Sequence, residues 1–72
     1  MKKLKDDIEI QAYLELMISC QIEECVEDFS ESLEHPARDP VEEWAVEMAR
    51  KARLIGWTSD KEGRVVCPKH SN

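Results

Sequence analysis

The sequence predicts a small α+β domain: an N-terminal β-hairpin, one central α-helix and a short C-terminal strand. Three observations carry that expectation. Apolar and polar residues alternate from Ile8 to Ile22, an apolar stripe repeats at helical spacing between Asp39 and Gly56, and two Cys/His pairs, Cys20/Cys25 and Cys67/His70, stand on either side of that stripe.

The alternation comes first. Ile8, Ile10, Ala12, Leu14, Leu16, Ile18, Cys20 and Ile22 are apolar, and the residues between them are mostly polar. A period of two is the pattern of a strand with one buried face. Val26 to Leu33 then reads as the returning strand of a hairpin whose turn spans Cys20–Cys25. A competing reading stays open, because Leu, Glu, Gln, Met and Ala favour helix. Leu14, Met17/Ile18, Ile22, Cys25/Val26 and Phe29 also fit a 3.6-residue stripe, and the chain would then be an all-α helical hairpin without metal.

Glu34 to Pro40 is a connector, since Pro36 and Pro40 each disfavour regular structure in the residue before them. The central helix is expected over about 40–55. Asp39 is placed to cap it, Pro40 suits a first helical position, and Glu42 stands three residues after the cap. Val41, Trp44, Ala45, Met48, Ala52 and Ile55 form its apolar face, and Trp44 and Trp57 read as core residues. Acids lead and bases trail, as the helix dipole prefers, and Gly56 is the expected C-terminal stop. A turn at Ser59–Gly63 leads to a short strand, Arg64–Cys67, that delivers Cys67.

Composition bounds the rest. The 72 residues make room for one domain over 1–72, with 1–7 and 71–72 expected to be flexible. A chain of this length buries only about 60–65% of its unfolded surface, so small domains commonly add a disulfide, a metal or a partner subunit. An odd count of three cysteines disfavours a disulfide framework. Asp6, Asp7 and Glu9 interrupt the place where a secretory leader would need an apolar run, and no apolar run approaches the ~20 residues of a membrane span. A cytoplasmic, reducing setting fits, where clustered cysteines point to metal.

The net charge is −6, and it is uneven: residues 6–43 hold thirteen acids against Arg38 alone, whereas residues 44–72 hold six bases against three acids. Nucleic-acid binders present a net basic face, so a protein partner is the expectation and nucleic acid is not. Asp28, Glu31, Glu34, Glu42, Glu43 and Glu47 are the candidate contact surface.

Cys20-x4-Cys25 and Cys67-x2-His70 carry the chemistry. Zinc prefers four tetrahedral nitrogen and sulfur donors, and spacings of two to four residues let both members of a pair reach one ion from one turn. Four protein ligands leave no open position for water, so the zinc is expected to be structural and the chain not an enzyme. Neither a glycine-rich phosphate loop nor an assignable nucleophile–base–orienter set is present. His35 is an alternative fourth ligand. In the metal-free reading Cys20 and Cys25 are buried as small apolar side chains on a helix.

The run Ala52-Arg53-Leu54-Ile55-Gly56-Trp57, a short turn, then Val66-Cys67-Pro68-Lys69-His70 resembles the end of a broad group of small zinc-ribbon-like proteins of bacteria and their phages. Such proteins have a first cysteine pair, a helix ending in Ala-x3-Gly-Trp and a closing Cys-Pro-x-Cys or Cys-Pro-x-His. The resemblance covers roughly residues 16–70 and implies a zinc-ribbon-like fold, phage or mobile-element origin and no shared activity. This chain carries Gln21-Ile22-Glu23-Glu24 where similar proteins have a Pro-Gly turn. The expected role is a zinc-stabilised protein-binding or regulatory module. Two alternatives stay open: an acidic inhibitor of a host or defence nucleic-acid-binding protein (anti-CRISPR-like or a DNA mimic), and a nucleic-acid-binding zinc module using Arg50, Lys51, Arg53, Lys61, Arg64 and Lys69.

Overall fold

The computed structural model describes Leu4 and residues 6–70. The expected flexible stretches fall largely outside them, at 1–3, 5 and 71–72. Asp6 caps a helix and Asp7 begins it.

That helix, α1 (Asp7–Glu15), stands where the alternation predicted a strand. The Asp6 carboxylate accepts the Glu9 amide at 2.9 Å and caps the first turn. Good helix formers follow, and the pattern of burial has a helical spacing: Ile8, Gln11 and Ala12 face inward. The supposed strand face is split, since Leu14 is 71% and Leu16 51% exposed while Ile8 and Ala12 are fully covered. The alternation misled because α1 carries apolar residues on both its sides. The long-helix alternative fails as well, because α1 ends at Leu16, whose left-handed backbone (φ 61) closes it with its N–H on the Ala12 carbonyl.

Of the expected hairpin only a stub forms. Ser19 and Asp28 make one antiparallel bridge, flanked by hydrogen bonds from Cys20 N–H to the Glu27 carbonyl and from Phe29 N–H to the Ile18 carbonyl. The returning strand predicted over 26–33 is absent. Val26 is 90% exposed, and Ser30–Glu34 form a single helical turn, α2.

The central helix, α3 (Val41–Leu54), falls where the sequence places it, with one change at each end. Pro40, not Asp39, holds the cap position; no side chain caps the helix there, and the Asp39–Pro40 peptide is cis. Trp44, Ala45, Met48, Ala49 and Ala52 are buried, whereas Ile55 is 60% exposed at the C-cap. The Trp44 indole N–H donates to the His35 carbonyl at 2.8 Å and ties the connector to the helix. At the far end Trp57 N–H reaches the Ala52 carbonyl and Gly56 N–H the Arg53 carbonyl. This double bond pattern needs a left-handed residue, which Gly56 supplies with φ 112.

β1 (Thr58–Ser59) and β2 (Val65–Val66) form an antiparallel pair, Thr58 opposite Val66 and Ser59 opposite Val65. Asp60 holds their turn, accepting from the Glu62 and Arg64 amides and from the Arg64 guanidinium. Helices and one two-stranded antiparallel hairpin are compatible with the α+β class. The core joins α1, α3 and the knuckle residues around Ile8, Ile18, Phe29, Trp57 and Cys67, with the Phe29 and Trp57 rings edge to face, centroids 6.3 Å apart. No helix among the described residues is long and apolar enough to cross a membrane.

Candidate metal centre

Two tight turns face each other across this core. The first is the loop between the bridge strands. Cys25 N–H donates to the Ile22 carbonyl at 3.0 Å, with Glu24 in the left-handed region (φ 68) at the turn position that normally calls for glycine. The second turn follows β2, where His70 N–H donates to the Cys67 carbonyl at 3.0 Å. Proline at position 68 packs against Gly56, where a Cβ would stand 3.2 Å from the Pro68 Cβ.

The turns are joined directly. Gln21 N–H donates to the Val65 carbonyl, and Val65 N–H returns to Gln21 Oε1, each at 2.8 Å. Cys67 N–H points at Cys20 Sγ at 3.4 Å. Behind the first turn, the buried Gln11 amide of α1 pairs with the backbone of Ser19: Nε2 donates to the Ser19 carbonyl and Ser19 N–H to Oε1, both at 3.0 Å. Ser32 does the same one residue earlier, its hydroxyl accepting Ile18 N–H at 3.1 Å and donating to the Phe29 carbonyl at 2.7 Å. These three supports were not read from the sequence. The two glutamines sit at nominally polar positions of the alternation, and Ser32 sits in the supposed returning strand.

The result is one cluster: the ligand atoms of Cys20, Cys25, Cys67 and His70 all lie within 4.8 Å of one another. Cys25 and Cys67 Sγ are 3.8 Å apart, Cys67 Sγ and His70 Nδ1 3.3 Å, and Cys20 Sγ and His70 Nδ1 4.0 Å. A tetrahedral ion with metal–sulfur bonds of about 2.3 Å and metal–nitrogen bonds of about 2.0–2.1 Å has S···S edges near 3.8 Å and S···N edges near 3.6 Å. The observed edges bracket those values, so the four residues can hold a metal ion. His35 lies elsewhere, its ring 3.8 Å from the Glu31 carboxylate.

Cys20 and Cys25 are pushed in opposite directions within this cluster. Burial opposes a Cys20 thiolate, yet the Cys67 and Ile22 amides donate to it and bring its thiol below the ordinary value. At Cys25 the Glu27 amide favours the thiolate, but burial and the neighbouring Cys20 and Cys67 sulfurs outweigh it and push the thiol up to about 11. A cation in the cluster removes that conflict, since a bound metal deprotonates a coordinating thiol.

The acids singled out as a contact surface spread over three elements: Asp28 beside the first turn, Glu31 and Glu34 on α2, and Glu42, Glu43 and Glu47 on α3. Glu31 is engaged by Lys51 at 3.4 Å. The candidate basic patch is largely neutralised: Lys51 pairs with Glu31, Arg53 with Asp6, Arg64 with Asp60 and Lys69 with Glu27. No family model matches the chain, and no curated protein or solved structure matches it either.

Proposed function

We propose that this chain is a zinc-ribbon-like module in which one structural Zn²⁺, bound by Cys20, Cys25, Cys67 and His70, fixes the fold, and that it acts by binding another protein. The observation that carries the reading is the convergence of three sulfurs and one imidazole nitrogen, all within 4.8 Å of one another. Soft thiolate donors in that geometry select zinc over magnesium, calcium or manganese. Four protein donors close the coordination sphere, which is the structural rather than the catalytic pattern. The cleft beside the cluster, about 180 Å³ and lined by Trp57, Pro68 and Lys69 among others, is smaller than the roughly 300–1,000 Å³ of small-molecule sites. The ion pairs of Lys51, Arg53, Arg64 and Lys69 favour a protein partner over nucleic acid.

Native mass spectrometry of the purified protein, with and without chelator, tests the metal. One zinc per chain, with loss of far-ultraviolet circular dichroism on chelation, is the expected result. A metal-free protein that stays folded, or one that carries iron when purified, overturns it.

A further inference from the structure

Most of α1 is explained by the core, but half of its apolar surface is not. Ile8 and Ala12 are covered completely, and Gln11 is used in bracing Ser19. On the other side Ile10, Tyr13 and Leu14 stand at positions i, i+3 and i+4, one stripe of a helix. Ile10 and Tyr13 are each 40% exposed and Leu14 71%, and the C-cap residue Leu16 extends the stripe at 51%. Of the other exposed large apolar residues, Val26 and Leu33 stand apart from each other, and Leu54 and Ile55 form an adjacent pair at the end of α3. A contiguous apolar stripe that the fold does not need is the mark of an interaction surface.

Charge identifies what covers it. Every charged residue of α1 and its cap is an acid: Asp6, Asp7, Glu9 and Glu15, with no base in the last turn; Arg53 of α3 already pairs with Asp6 at 3.4 Å, and the face stays acidic on balance. A second copy of this chain would set these carboxylates against one another, on two molecules that each carry −6, and like charges across an interface cost several kcal/mol. A partner helix with an apolar ridge bordered by lysine or arginine would bury the stripe and neutralise its borders together. We propose that the outer face of α1, centred on Ile10, Tyr13 and Leu14, is the docking surface of this module, and that its partner presents a basic amphipathic helix. The surface specifies the partner chemistry for the protein-binding role above and rests on that reading.

The test uses the full-length, metal-loaded protein and two labelled designed peptides that share one leucine pattern, one otherwise lysine and the other glutamate. Fluorescence anisotropy reads binding, and native mass spectrometry reads the metal of every variant. The lysine peptide is expected to bind and the glutamate peptide not to. Ile10→Ser/Leu14→Ser should weaken binding at least tenfold while V26S leaves it unchanged. Should the double variant lose structure, L14S alone, at the most exposed position of the stripe, is expected to weaken binding in the same direction. Equal binding of wild type and stripe variants, or of both peptides, overturns the proposal. So does a wild-type dimer that the stripe variants convert to monomer, because a second copy is then the occupant. Peptide binding by a protein that carries no zinc would refute the zinc reading and leave the surface standing.

Discussion

Replacing Gln11 by methionine isolates the brace between α1 and the first metal turn. Methionine is unbranched and of similar length, so the volume between α1 and Ser19 stays filled. What disappears is a set of three hydrogen bonds: Nε2 to the Ser19 carbonyl at 3.0 Å, Nε2 to the Ser19 hydroxyl at 3.3 Å, and Ser19 N–H to Oε1 at 3.0 Å. The glutamine is 4% exposed, so the orphaned Ser19 amide and carbonyl face a thioether instead of water. Each orphaned buried group costs about 1–3 kcal/mol, but Ser19 is only half-buried, and water reaching it offsets part of that. The net loss is about 1–3 kcal/mol, a large share of the ~4–11 kcal/mol stability that a 72-residue domain commands.

Urea unfolding of the metal-saturated protein, followed by tryptophan fluorescence, reads this loss. With a slope of about 1 kcal/mol per molar for a chain this small, the midpoint falls by about 1–3 M. Ser19→Ala is the internal control. It removes only the longest of the three bonds and should cost less than about 0.5 kcal/mol, because the backbone pairing with Gln11 survives. If Gln11→Met costs no more than Ser19→Ala, Gln11 is not the support that the geometry assigns it.

Two further outcomes concern the metal turns. Glu24→Gly removes a non-glycine residue from φ 68 at an exposed position, and relief of that strain should stabilise the loaded protein by about 0.5–1 kcal/mol in the same urea assay; a destabilised variant refutes the assignment of strain there. Metal affinity should rise with pH between about 6.5 and 8 in a chromophoric-chelator competition, because protonated thiols, Cys25 with its pKa pushed up to about 11 among them, must shed their protons to bind; a flat profile would mean that the cysteines are not the ligands.

How much of this was legible in the sequence depends on the range of the interactions involved. The helix α3 was readable because its signals are local: a helical stripe from Trp44 to Ala52, acids first and bases last, and Gly56 behind it. Its cap was misassigned by one residue because Asp39 makes no capping bond. The four cluster residues were readable because short spacings constrain each pair independently, and the structure brings both pairs to one place. The helix α1 was not, because its outer apolar stripe completes an alternation with residues that face the core. Period-two counting cannot distinguish a buried strand face from a helix with two apolar sides. Gln11, Gln21 and Ser32 were invisible for a different reason. Each pairs with the backbone of a residue brought near it by the fold, Gln21 with one 44 positions away.

The cluster and the core are one object, because Cys20 and Cys67 are buried in the same apolar cluster as Ile8, Phe29 and Trp57. The sulfurs therefore serve twice, as packing atoms and as donors facing Cys25 and His70. The packing brings three sulfurs and an imidazole together, with amide donors directed at Cys20 and a reluctant Cys25. A metal held there would close a link between residues 20–25 and 67–70, in a chain whose aromatic complement is only four residues. A metal that binds the folded chain and not the unfolded one stabilises the fold by mass action. Folding and metal binding are then a single equilibrium. The metal's effect should accordingly spread to the packing of α1 on α3, since Gln11 fastens α1 to the residue immediately before Cys20.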